Sequence, residues 1–126
     1  MGLRRLGPGT APGVEPEHCF VAPEKLIAGN PRQTVWMQYT DAAGVFFAGT
    51  WASEPGKWRI AYTEEEYCRI LEGESVITGD DGVAHTVRAG DEFIIPRGFT
   101  GTWEVRVATR KTFVIHEAGV PLPGSA

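Results

Sequence analysis

Turn-forming residues interrupt this chain so often between Thr34 and His116 that no segment is left long enough for an ordinary helix. Asp41–Gly44, Glu54-Pro55-Gly56, Glu72-Gly73-Glu74, Gly79-Asp80-Asp81-Gly82, Ala89-Gly90-Asp91 and Pro96-Arg97-Gly98 each combine residues that tight turns demand. The stretches between them are rich in β-branched and aromatic side chains: Thr34–Thr40, Val45–Trp51, Trp58–Tyr62, Tyr67–Leu71, Ser75–Thr78, Val83–Val87, Glu92–Ile95, Thr102–Val107 and Lys111–His116. Short strands separated by turns, with no helical period, predict an all-β sandwich or barrel.

The 126 residues leave room for one domain. Residues 1–33 read as an arm, partly flexible, in which Gly7–Pro16 is Pro/Gly-rich and Pro23–Ile27 has the composition of one helical turn. Residues 34–118 form the single domain, and the Gly/Pro-rich residues 119–126 read as a loose tail. A formal net charge of -4 disfavours nucleic acid as a partner, since that class usually needs a basic face. No apolar run approaches the ~20 residues needed to span a bilayer, so no membrane role is expected. Met1–Thr10 lacks the apolar stretch of a secretion signal, and the expected location is the cytoplasm. Cys19 and Cys68 have no paired Cys/His spacing around them and read as two reduced thiols.

The turn residues also have an informative spacing. Gly90 is followed by five residues and then Pro96, Arg97 and Gly98, while Glu66 is followed by six residues and then Gly73. From Gly56 to Val105 this arrangement resembles the cupin superfamily, which implies a double-stranded β-helix, a jelly-roll-like barrel. Lys57–Tyr62 and Gly101–Val105 are similar, more narrowly, to the ureidoglycine aminohydrolase-type branch, which includes the cupin domain of the ethanolamine-utilization Q protein. The resemblance implies a metal held at four positions, which here carry Ile60, Tyr62, Glu66 and Gly101. Of these only Glu66 is an ordinary metal ligand of that family, so no metal and no other cofactor is expected.

Alternation puts Trp58, Ile60 and Tyr62 on one strand face and Glu66, Cys68 and Ile70 on another, the faces that look into the barrel in cupins. The expected cavity has Glu66 and Tyr62 as its catalytic pair. Trp58, Ile60, Cys68 and Trp103 are the expected ligand-binding residues. A lone carboxylate among rings is desolvated, which suits an acid/base. Trp36 and Trp51 are assigned either to the pocket or to the core. Arg59, Arg69, Arg110 and Lys111 fall on the opposite parity or near strand ends and read as solvated or interfacial. His18, His85 and His116 are scattered, with His85 expected at the surface.

Three functions follow for such a cavity: a metal-independent enzyme acting on a small nitrogenous or carboxylated metabolite, a non-catalytic binding or sensor module, and a metal-dependent aminohydrolase-like enzyme with unrecognised ligands. The expected partners are a small-molecule ligand and a second copy of the chain in a homodimer, because a small barrel leaves sheet edges to be covered.

Overall fold

The computed structural model describes residues 2–7 and 13–117, so the expected tail at 119–126 and part of the arm lie outside the described residues. Nine strands follow one another along the chain: β1 (Glu17–Phe20), β2 (Leu26–Ala28), β3 (Arg32–Thr40), β4 (Phe46–Ser53), β5 (Gly56–Ala61), β6 (Glu65–Gly79), β7 (Ala84–Arg88), β8 (Glu92–Ile95) and β9 (Thr100–His116). The all-β class and the cupin-like barrel are both present.

β6 and β9 organise the rest. They pair antiparallel along nearly their whole lengths, from Glu65 opposite His116 to Gly79 opposite Gly101. One end of this ribbon is flanked by β4 and β8, which pair with residues 109–116 of β9 and 66–69 of β6. The other end is flanked by β5 and β7, which pair with residues 100–105 of β9 and 74–78 of β6. β3 and then β1 extend the first half-sheet beyond β4, and β2 extends the second beyond β5. The halves fold onto each other over a shared core of Trp58, Cys68, Ile70, Ile77, Val87, Ile95, Trp103 and Val105.

From sequence alone this ribbon is expected as four strands, Tyr67–Leu71, Ser75–Thr78, Thr102–Val107 and Lys111–His116. Glu72-Gly73-Glu74 carries turn residues, yet here they form an irregularity within a continuous ladder, with register shifts between Ile70 and Ser75. Gly73 adopts φ +90°, and a Cβ there would come 2.1 Å from the Ala108 carbonyl oxygen. A bulge and a turn need the same residues, and only the partner strand tells them apart. The arm also differs from expectation at Pro23–Ile27. Residues 23–25 make a turn closed by Lys25 N–H to Ala22 O, and the chain then extends into β2. β1 and β2 thereby bring residues of the arm into the sheet, paired with β3 and β5.

Candidate functional site

Between the two half-sheets lies an open cavity of about 290 Å³ whose wall includes Gln33, Val35 and Met37 of β3, Trp51 of β4, Trp58 and Ile60 of β5, and Lys111, Phe113 and Ile115 of β9. Tyr62, Glu64, Glu66 and Trp103 complete it. Strand alternation puts these side chains there, because β3, β5 and β9 each contribute every second residue. The loop motif then fixes Tyr62: its N–H donates to Phe99 O at 2.9 Å and its carbonyl accepts from Gly98 N–H at 2.7 Å. The Pro96-Arg97-Gly98 turn thus serves the cavity by holding the end of β5 against it.

The aromatic wall is a cross-strand assembly. Trp58 and Trp103 are register partners on β5 and β9, and their rings stack with centroids 6.5 Å apart and planes 7° from parallel. Trp51 reaches them from the opposing half, 6.1 Å from Trp58 and 5.5 Å from Trp103. Trp36 lies elsewhere, beneath the Arg110 guanidinium at 5.7 Å.

The inner end of the cavity is charged. Lys111, on β9 opposite Ile70 and Trp51, places Nζ 3.0 Å from Glu66 Oε2. Nζ also lies 3.5 Å from Cys68 Sγ, and 4.8 and 4.4 Å from the Trp51 and Trp103 ring centroids. Both side chains of the pair are 5% exposed. From sequence Lys111 is expected to be solvated or interfacial, and the structure corrects this. Lys111 shares its parity with Phe113 and Ile115, which line the same cavity from β9. That alternation was the available signal; the usual exposure of lysine hid it. Glu66 is consequently not the lone desolvated carboxylate expected among rings, since an ammonium balances its charge.

Burial pushes the Cys68 thiol up to about 12 against the pull of Lys111, so Cys68 is a thiol at neutral pH. Burial likewise raises Tyr62 above the ordinary phenol value, aided by Glu66, so Tyr62 keeps its proton. Burial alone would lower Lys111, but the acidic groups facing it, Cys68, Glu66 and Tyr62, outweigh it and the amine sits above its usual value.

Of the residues read from sequence, the structure brings Tyr62, Glu66, Trp58, Ile60 and Trp103 to this one cavity. Cys68 is fully buried behind Lys111 and is not among the lining residues. Arg59 and Arg69 are exposed, as are His18, His85 and His116. Gln33 was missed: its Nε2 is buried without a hydrogen-bond partner while the side chain lines the cavity, leaving a donor for an incoming acceptor. A larger cleft of about 610 Å³ opens between β7 and β8, but its polar side chains His85, Asp91 and Glu92 are exposed, unlike the buried pair.

The residues do not fit a bound divalent ion. Among the described residues no three His, Cys, Asp or Glu side chains cluster, and Glu66 already faces an ammonium. Gly101 offers no ligand either, for a Cβ there would meet the Thr78 carbonyl oxygen at 2.0 Å where β6 and β9 close up.

The fold has relatives among solved structures. A protein of unknown function from Pseudomonas syringae pv. tomato superposes with TM-score 0.77 at 22% identity, covering 87% of this chain and 46% of that one. This chain thus spans less than half of that protein. The EutQ protein of Clostridium difficile gives TM-score 0.64 at 18% identity, with 76% and 78% of the two chains covered. A putative ethanolamine utilization protein Q from Salmonella typhimurium gives 0.63 at 17%, with 84% and 98% covered. No curated protein matches the sequence. Identities this low establish the shared fold alone. The family rests on the sequence itself: residues 40–113, more than half of the chain, match the model of the EutQ-like cupin domain, and the chain belongs to that family.

Proposed function

We propose that this cupin domain binds a small polar metabolite in its tryptophan-walled cavity, with the Glu66–Lys111 pair as the polar anchor. The carrying observation is the enclosure of that pair at the end of a cavity of about 290 Å³. Pockets that bind small molecules are mostly apolar, with a few convergent polar groups that fix orientation. Donors face this one from Lys111, Tyr62 and Gln33, and acceptors from Glu66 and Glu64. A ligand presenting both an acceptor and an N–H, such as a carboxamide, a ureido group or an amino acid, complements that set, and the indoles take up its apolar part.

Acid/base chemistry by Glu66 and Tyr62 is the weaker reading. Tyr62 holds its proton well above neutral pH, and Glu66 is committed to Lys111. An efficient acid/base has its pKa near the working pH.

A thermal-shift panel of small amides, ureido compounds and amino acids tests the proposal, with amino alcohols added because two structures of this fold bear ethanolamine-utilization names. At least one class is expected to raise Tm, with the rise lost in Glu66→Gln. Product detection on the same mixtures separates binding from turnover. Stabilisation that is unchanged in Glu66→Gln would move the site elsewhere. A homodimer covering the exposed edge of β1 belongs to the same proposal, and light scattering against the 13.7 kDa monomer checks it.

A further inference from the structure

Lys111 is the one buried cation among the described residues, and its surroundings resemble a coordination site more than an ordinary ion pair. Glu66 and Cys68 are alternate inward positions of β6, and their oxygen and sulfur atoms converge on a single point, 3.0 and 3.5 Å from Nζ. Carboxylate and thiol groups converging in this way are what a divalent transition ion seeks. Here the point is filled by an ammonium on a covalent tether, enclosed by the Trp51 and Trp103 rings at 4.8 and 4.4 Å. A second cation would meet a like charge at contact distance in a low-dielectric pocket, where repulsion is least screened.

The backbone closes the other route to a metal site. Gly101 sits where β6 and β9 approach so closely that no side chain fits, and Ile60 is its register partner on β5. Neither position supplies a donor atom.

We infer that the Lys111 ammonium is a built-in cation standing where a dissociable metal ion would be held, so that the polar end of a ligand is gripped by a fixed lysine. The clause about the ligand rests on the cavity being the binding site; the exclusion of metal by Lys111 stands without it.

Cobalt(II) tests the inference through the charge-transfer absorption that a thiolate–cobalt bond produces. The full chain, Lys111→His, and Lys111→His combined with Cys68→Ser are titrated with cobalt after chelator treatment. The unaltered chain is expected to show no such band. Lys111→His, which exchanges the cation for a third donor, is expected to bind cobalt stoichiometrically with the band, and adding Cys68→Ser should abolish it. A thiolate–cobalt band in the unaltered chain overturns the inference, as does a folded Lys111→His that binds no cobalt. Should Lys111→His fail to fold, Lys111→Glu takes its place under the same criteria. If neither folds, the unaltered chain decides alone, its band counting against the inference and absence of the band counting for it. A missing ligand in the thermal-shift panel would defeat the binding proposal and leave these spectra unaffected.

Discussion

β6 and β9 run side by side through both halves of the barrel, yet the two halves bury different chemistry. Where residues 65–70 face 111–116, the ribbon encloses an ion pair, Glu66 with Lys111, and a thiol. Where 75–79 face 101–105, it encloses Ile77, Trp103 and Val105 with neutral polar groups that satisfy one another. There Trp103 Nε1–H donates to Ser75 Oγ at 3.1 Å, and across the irregularity Ser75 Oγ meets Thr109 Oγ1 at 2.8 Å. These three neutral groups are satisfied among themselves and direct nothing at the cavity. The first half leaves Gln33, Glu66 and Lys111 with bonding capacity directed at a cavity. One pair of strands thus supplies both a rigid support and a polar pocket, with the irregularity around Gly73 between them.

The largest effect should come from breaking the charged half. Lys111→Met preserves much of the side-chain volume but strands a buried carboxylate, and a loss of about 3–5 kcal/mol is expected in urea unfolding. A loss under about 1 kcal/mol would mean that Glu66 finds another partner.

High pH probes the same half. Cys68, Tyr62 and Lys111 all have raised values in the folded chain, so above each ordinary value the fold retains a proton that the unfolded chain releases. Stability from these groups is therefore present at neutral pH and declines as pH rises. For Cys68 the window opens near its ordinary 9.0 and closes near the folded value of about 12. Within it the decline approaches about 1.4 kcal/mol per pH unit for that group. Cys68→Ala should flatten the early part of the curve; an unchanged slope from pH 9 upward would contradict the burial of the thiol.

The neutral half should yield less. Ser75→Ala removes the acceptor of the Trp103 indole N–H and is expected to cost about 1–3 kcal/mol, read as a lowered urea midpoint. The smallest effect belongs to the surface of that half, where Arg59 and Asp80 pair at 3.4 Å with side chains 56% and 55% exposed. Asp80→Asn should change stability by less than about 1 kcal/mol, and by less still in high salt.

Much of the barrel was legible because turn chemistry is local. Gly90, Pro96 and Gly98 mark turns whatever the rest of the chain does, and alternation alone carried Trp58, Ile60, Tyr62 and Glu66 to the inner face. What escaped depends on partners distant in sequence. Glu72-Gly73-Glu74 reads as a strand end until Ala108 is seen against Gly73. Lys111 reads as a solvated strand end until β9 is known to run unbroken from Thr100. Gln33 gives no sign of facing a cavity until β3 is placed across from the tryptophans. The metal positions of the resemblance could be compared residue by residue, but the cation that faces Glu66 comes from outside those positions.

A double-mutant cycle on Glu66→Gln and Lys111→Met tests most directly whether these two charges form one buried unit. The account predicts that each single change is destabilising and that the double variant is more stable than the sum of the singles implies, with a coupling of at least about 2 kcal/mol, because the last buried charge is then gone. Additive losses, with a coupling near zero, would contradict it.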